Sequence, residues 1–302
     1  MAAKYERIMV PLDGSNAAEM ALPYAEQIAT KFHSEITLVC VAQPSMAKSD
    51  HLFRAYLHAI QEKVKVELSD WGAKPGTRVS AEIVAGNPAE VISTCAASKN
   101  VSLVVVAGRS RSGEGLWLLG HIVPKVLRET SRPVLLVRKE ATREGLHRKG
   151  LIKKILVPLD GSKAGEQIIP HAVEVAKVTG AEVTLFRAYK LLMRPISVEF
   201  YTMPEEEVGK INKHREEEAR GYLKSIAGTF REKGLTVSEV TATGNPADVI
   251  LDYAESNAVD ILTMSTHGLS AIKRWIFRRV SDRVLHAGDM PVLFARAPGL
   301  EN

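Results

Sequence analysis

The chain has 302 residues, of which 45% are hydrophobic, 25% charged and 6% aromatic, and it carries a net charge of +5. That length exceeds one ordinary core and suits two, and the balance excludes a disordered or low-complexity chain. No run approaches the ~20 consecutive apolar residues of a membrane span, and the opening residues lack an apolar signal core, so a cytoplasmic chain without a membrane partner is expected. The two cysteines, Cys40 and Cys95, sit in apolar runs without metal-ligand spacing and read as small core residues. Residues 1–150 hold 20 Lys and Arg against 15 Asp and Glu, whereas residues 151–302 hold 20 against 20. Much of the excess crowds into RKEATREGLHRKG, residues 138–150, which reads as a solvated linker rather than a nucleic-acid stripe.

In chain order, short β-branched runs predict strands over 7–12, 36–42, 78–84, 102–107 and 133–138, separated by stretches of helical period. Pro23 predicts a kink or a late start in the first helix. After Gly86, Asn87 is a candidate N-cap, Pro88 the first helical residue and Glu90 an acid suited to the helix dipole. A loop rich in small residues, 107–121, leads into a last helix with apolar Val123 and Leu127 at helical spacing.

The pattern then repeats. IMVPLDGS at 8–15 returns at 155–162 as ILVPLDGS, GNPAEVI at 86–92 returns at 244–250 as GNPADVI, and RPVLLVR at 132–138 matches MPVLFAR at 290–296. The second strands are expected over 154–159, 182–188, 235–241, 259–264 and 291–296, with Pro170 matching Pro23 and Asn245, Pro246 and Asp248 repeating the helix start. The offset grows from 147 to 158 residues, an insertion assigned to a long charged helix over 204–234. Strands alternating with helices predict an α/β chain in which each repeat forms a parallel sheet covered on both faces. The domains are placed at 1–140 and 153–298, joined by a basic linker at 141–152.

In such a sheet a ligand sits beyond the carboxyl ends of the strands, where strand order reverses. That points to the loops after the first and fourth strands: Asp13 and Asp160 at the first exits, and residues 107–121 and 265–279 at the second. A helix N-terminus there offers free backbone N–H groups to a phosphate.

Taken together and in fixed order, VPLDGS, GNPA(E/D)VI, the small-residue loop and PVLLVR resemble the universal stress protein family, twice over nearly the whole chain. The resemblance implies two Rossmann-like domains of the adenine nucleotide alpha hydrolase type, related by an internal pseudo-two-fold. It implies that the last strands, 133–137 and 291–295, lie antiparallel beside each other, as in dimers of single-domain relatives. A further homodimer and an unidentified protein partner stay open. Nucleotide-binding relatives carry G-x2-G-x9-G-(S/T) after the fourth strand, which falls here on Ala107, Ser110, Gly120 and His121, and on Ser265, Gly268, Arg278 and Arg279. Only Gly120 and Gly268 keep the glycine. By the same resemblance Pro11, Asp13 and Val41, with Pro158, Asp160 and Ala188, complete two candidate adenine-nucleotide sites. ATP, with Mg²⁺, or AMP is the implied ligand.

Asp13 and Asp160 also have a purely structural reading, as Asx-type turns. Arg278 and Arg279 sit where cations are disfavoured unless an anion is near, either Asp282 one turn on or a bound phosphate. There is no P-loop, dinucleotide fingerprint, zinc motif or nucleophile elbow. The chain therefore reads as a non-catalytic stress-response protein with degenerate nucleotide sites. The alternative is a true ATP or AMP binder that uses Arg278 and Arg279, with weak hydrolysis left open.

Overall fold

The computed structural model describes residues 5–42, 50–108, 122–138, 152–192, 204–266, 275–287 and 290–296. The first repeat runs β1 (Arg7–Leu12), α1 (Asn16–Glu19), α2 (Leu22–Phe32), β2 (Glu35–Ala42), α3 (Asp50–Asp70), β3 (Val79–Ala85), α4 (Pro88–Ser98), β4 (Leu103–Ala107), α5 (Ile122–Glu129) and β5 (Val134–Val137). The second runs β6 (Lys154–Pro158), a 3-10 turn (Gly165–Ile168), α6 (Ile169–Thr179), β7 (Glu182–Tyr189), α7 (Glu205–Arg231), β8 (Val237–Thr243), α8 (Pro246–Ser256), β9 (Ile261–Thr266), α9 (Trp275–Ala287) and β10 (Val292–Arg296).

All ten strands join one sheet in the order β3-β2-β1-β4-β5-β10-β9-β6-β7-β8. Within each repeat the pairings are parallel, and the repeats meet antiparallel where β5 and β10 set Val134 against Phe294 and Leu136 against Val292. One apolar layer unites α2, α3, α6 and α7 with one sheet face, and a second unites α4, α5, α8 and α9 with the other. Because both faces are covered, residues 8–12 and 103–106 are buried without alternation, and strands of this kind read as continuous apolar runs.

Both prolines act as helix starts. Pro23 and Pro170 stand at the second positions of α2 and α6, so the first crossover breaks into a short turn and a late helix in each repeat. Asn87 and Asn245 cap α4 and α8, each side-chain oxygen accepting the N–H two residues on at 3.2 Å. The preceding Gly86 and Gly244 have φ of +144° and +143°, and a Cβ there would meet Val91 and Val249 at 2.9 and 2.8 Å. Conformation and space therefore both demand glycine.

Two expectations need correction. β8 and β9 each begin two residues later than predicted, because Leu235 and Val259 donate back to Phe230 and Ala254 and so close α7 and α8. The insertion does not create a new element either. The charged helix spans Glu205–Arg231, 27 residues against the 21 of its counterpart α3, so it lengthens an existing crossover, and the remaining offset falls on the connecting chain.

Candidate functional site

At the exits of β1 and β6 the chain turns on itself in the same way twice. Gly14 and Gly161, at φ +83° and +85°, let the backbone reverse. Oδ1 of Asp13 accepts from the Ser15 N–H at 2.9 Å and its hydroxyl at 2.5 Å, and Oδ1 of Asp160 accepts from Ser162 at 2.9 and 2.7 Å. Each serine oxygen in turn accepts a helical N–H, from Ala18 at 3.2 Å and from Gly165 at 3.0 Å. These are Asx turns passing into N-caps, as Asp-Gly-Ser favours. Asp13 is exposed and Asp160 half-buried, so the remaining carboxylate oxygen of each carries what ligand chemistry the turn leaves.

Pro11 and Pro158 are buried in the strands, while Val41 and Ala188 end β2 and β7 half-buried on the α4 and α8 face. At the fourth-strand exits Ala107 is half-buried, with Gly108 donating to Val137 at 2.7 Å. Its counterpart Ser265 is 2% exposed, and among the described residues its hydroxyl has no hydrogen-bond partner. Ser110, Gly120, His121 and Gly268 lie outside the described residues. Arg278 and Arg279 are the fourth and fifth residues of α9, but their side chains lie outside the described set, as does the contact expected with Asp282. Asp282 itself stands 3.8 Å from Nε2 of His286.

Several groups around these exits were not singled out from sequence. Tyr56 of α3 and Tyr222 of α7 donate to the equivalent Glu19 and Glu166 at 3.1 and 3.3 Å, although the two tyrosines do not occupy matching sequence positions. Burial, reinforced by the adjacent carboxylates, pushes both phenols above their usual range, so both remain donors. The last helices are tied to the helices after GNP, Lys125 to Glu90 at 3.1 Å and Arg283 to Asp248 at 2.6 Å. The acid third after the cap thus also fixes the helix that follows the fourth-strand loop. Pairs of this kind join positions tens of residues apart, and only the duplication could have flagged them. Beside the second pair lies a cleft of about 560 Å³ lined by Lys190, Asn245, Pro246, Val280, Arg283 and His286.

Cys40 and Cys95 are free and buried, and burial raises both thiols, as inert core residues require. Among the described residues no three His, Cys, Asp or Glu side chains converge on a point. A single carboxylate at each exit fits Mg²⁺ only as an ion carried in by a nucleotide's own phosphates. Nor is any helix among those residues long and apolar enough to cross a membrane.

Comparison with known proteins bears on this geometry as a whole. The universal stress protein family model matches residues 4–138 and again 151–296. Universal stress protein MJ0531 of Methanocaldococcus jannaschii is 30% identical over 56% of this chain and 97% of its own length. Slr1230 of Synechocystis is 23% identical over 96% of this chain and its own full length. A universal stress protein of Archaeoglobus fulgidus superposes with a TM-score of 0.69 at 19% identity, covering 97% of this chain and 99% of its own, which shows the shared fold. With the family model matched once in each repeat, the chain belongs to the universal stress protein family as a tandem member built of two Rossmann-like domains.

Proposed function

We propose that the chain is a non-catalytic, cytoplasmic stress-response protein that acts through association or partner contacts, with degenerate adenine-nucleotide sites. The observation that carries this reading is the closure of both strand exits on themselves. Asp13 and Asp160 spend one oxygen on their own serine turn, and the serine hydroxyls they hold are committed as helix caps, accepting from Ala18 and Gly165. The domain limits of 1–140 and 153–298, joined by the basic linker, belong to the same reading. So does the idea that the β5–β10 pairing supplies within one chain the contact that single-domain relatives make between two.

The test is to release small molecules from the purified chain, identify them, and titrate ATP and AMP with and without Mg²⁺. Retained nucleotide together with turnover above an Asp13→Ala, Asp160→Ala control would replace this reading with a hydrolase.

A second reading is favoured by the position of Arg278 and Arg279 near the N-terminus of α9, where a cation is disfavoured unless an anion is close. It makes the chain an ATP or AMP binder with side-chain phosphate ligands. Arg278→Gly with Arg279→Ser separates the cases: tighter nucleotide binding means that the arginines obstruct the phosphate, weaker binding that they hold it.

A further inference from the structure

The two strand exits differ in a row of side chains that the register makes explicit. Leu12 is paired with Cys40, and continuing the β1–β4 register brings Ala107 level with them. In the second repeat the same continuation sets Arg187, Leu159 and Ser265 in one row across β7, β6 and β9. The row is apolar in the first repeat and polar at both flanks in the second.

Arg187 is held in an unusual way. Its guanidinium carbon lies 4.7 Å from the centre of the Tyr222 ring. It also lies against Gly161, where an added Cβ would stand 3.2 Å from Nη2 and 3.3 Å from Cζ. The side chain is 17% exposed, yet a guanidinium has five N–H donors. Among the described residues it meets one acceptor, Oε1 of Glu218 at 3.3 Å. Glu218 is itself 61% exposed, so that pair is screened and readily exchanged. A planar fork held against a ring and a glycine, with donors beyond its one described acceptor at a strand exit, is prepared for an oxyanion.

We infer that the second domain binds the phosphate group of a small phosphorylated ligand through Arg187, which exchanges Glu218 for two parallel N–H···O bonds, while the first domain, with Cys40 at this position, does not. The site requires neither the glycine-type loop nor Arg278 and Arg279, and it goes beyond the reading given above.

The experiment follows the Gly161 amide resonance of the full chain while inorganic phosphate, AMP and adenosine are added separately. Phosphate and AMP should both move it, with one equivalent bound per chain, and adenosine should not. Arg187→Cys, the first repeat's residue, should weaken AMP binding roughly tenfold or more, with Arg187→Lys falling between. Cys40→Ser, at the buried first-repeat position, should leave AMP affinity unchanged. Unchanged affinity in Arg187→Cys, a still Gly161 resonance at saturating AMP, or a response to adenosine alone would overturn the inference. Because the resonance is read in the unmodified chain, a variant that fails to fold does not remove the test. A chain that binds no phosphate would end this inference and leave the non-catalytic reading standing, whereas ATP turnover would end that reading and leave Arg187 to be judged by its own variants.

Discussion

The Tyr5 hydroxyl lies 2.8 Å from Nδ1 of His171, joining the first repeat to α6 of the second. Burial pushes the Tyr5 phenol far above its usual range, so the hydroxyl donates and Nδ1 must accept. Burial also holds His171 down at about 4, against an ordinary 6.5. Between those values the unfolded chain binds a proton that the folded chain refuses. Above pH 6.5 the ring is neutral in both states, and its contribution is complete. As pH falls from 6.5 towards 4, folding should lose about 1.4 kcal/mol per pH unit from this group. Urea midpoints at pH 7.5, 6 and 5 should fall more steeply for the wild type than for His171→Asn. Parallel slopes would show that the ring titrates freely.

Arg138, just after β5, and Arg296, the last residue of β10, stand at equivalent positions, and each reaches across the repeat boundary to a carbonyl of the other repeat's last helix. Arg138 does so buried, donating to Val284 at 2.9 Å, whereas Arg296 reaches Arg128 at 3.5 Å from a more open position. Removing a buried donor leaves its acceptor desolvated. Arg138→Leu should cost about 2–4 kcal/mol and Arg296→Leu under about 1 kcal/mol, measured by denaturant unfolding. Equal losses would mean that the two contacts are alike.

The path from sequence to these contacts was uneven, for physical reasons. Strand positions, helix caps and proline starts were legible because each is encoded within a few residues, as in Asn87-Pro88 or the apolar run at Ile8–Leu12. β8 and β9 begin later than their apolar runs suggest because Leu235 and Val259 look like strand residues but serve to close helices. The Asx turns at Asp13 and Asp160 are defined by hydrogen bonds to Ser15 and Ser162, which residue types alone do not specify. Arg187, Tyr222 and Ser265 could not be grouped from sequence at all. Arg187 and Ser265 share a row only through the register of β7, β6 and β9, and Tyr222 reaches Arg187 from α7.

Ala258 follows α8 at φ +50°, and its counterpart Asn100 has the same angle. Asparagine tolerates the left-handed region, whereas alanine pays for its Cβ there. Ala258 is exposed, so neither glycine nor asparagine should meet an obstacle. Ala258→Gly should raise stability by about 0.5–1 kcal/mol, and Ala258→Asn should gain in the same direction. A lower melting temperature in both variants would refute this account.

Gly244 and Gly180 separate conformational from steric cost. Gly180 ends α6 at φ +70° with nothing within 4 Å of an added Cβ, so Gly180→Ala should lose only the left-handed penalty of about 1 kcal/mol. Gly244 sits at φ +143°, a region nearly closed to other residues, and its added Cβ would stand 2.8 Å from Cγ1 of Val249. Gly244→Ala should therefore cost about 2–4 kcal/mol. Val249→Ala in the same chain should recover the steric part and leave the backbone part, so the double variant should be more stable than the sum of the single losses predicts. Strict additivity would mean that Val249 already yields to the new methyl, and that φ alone fixes glycine ahead of Asn245-Pro246.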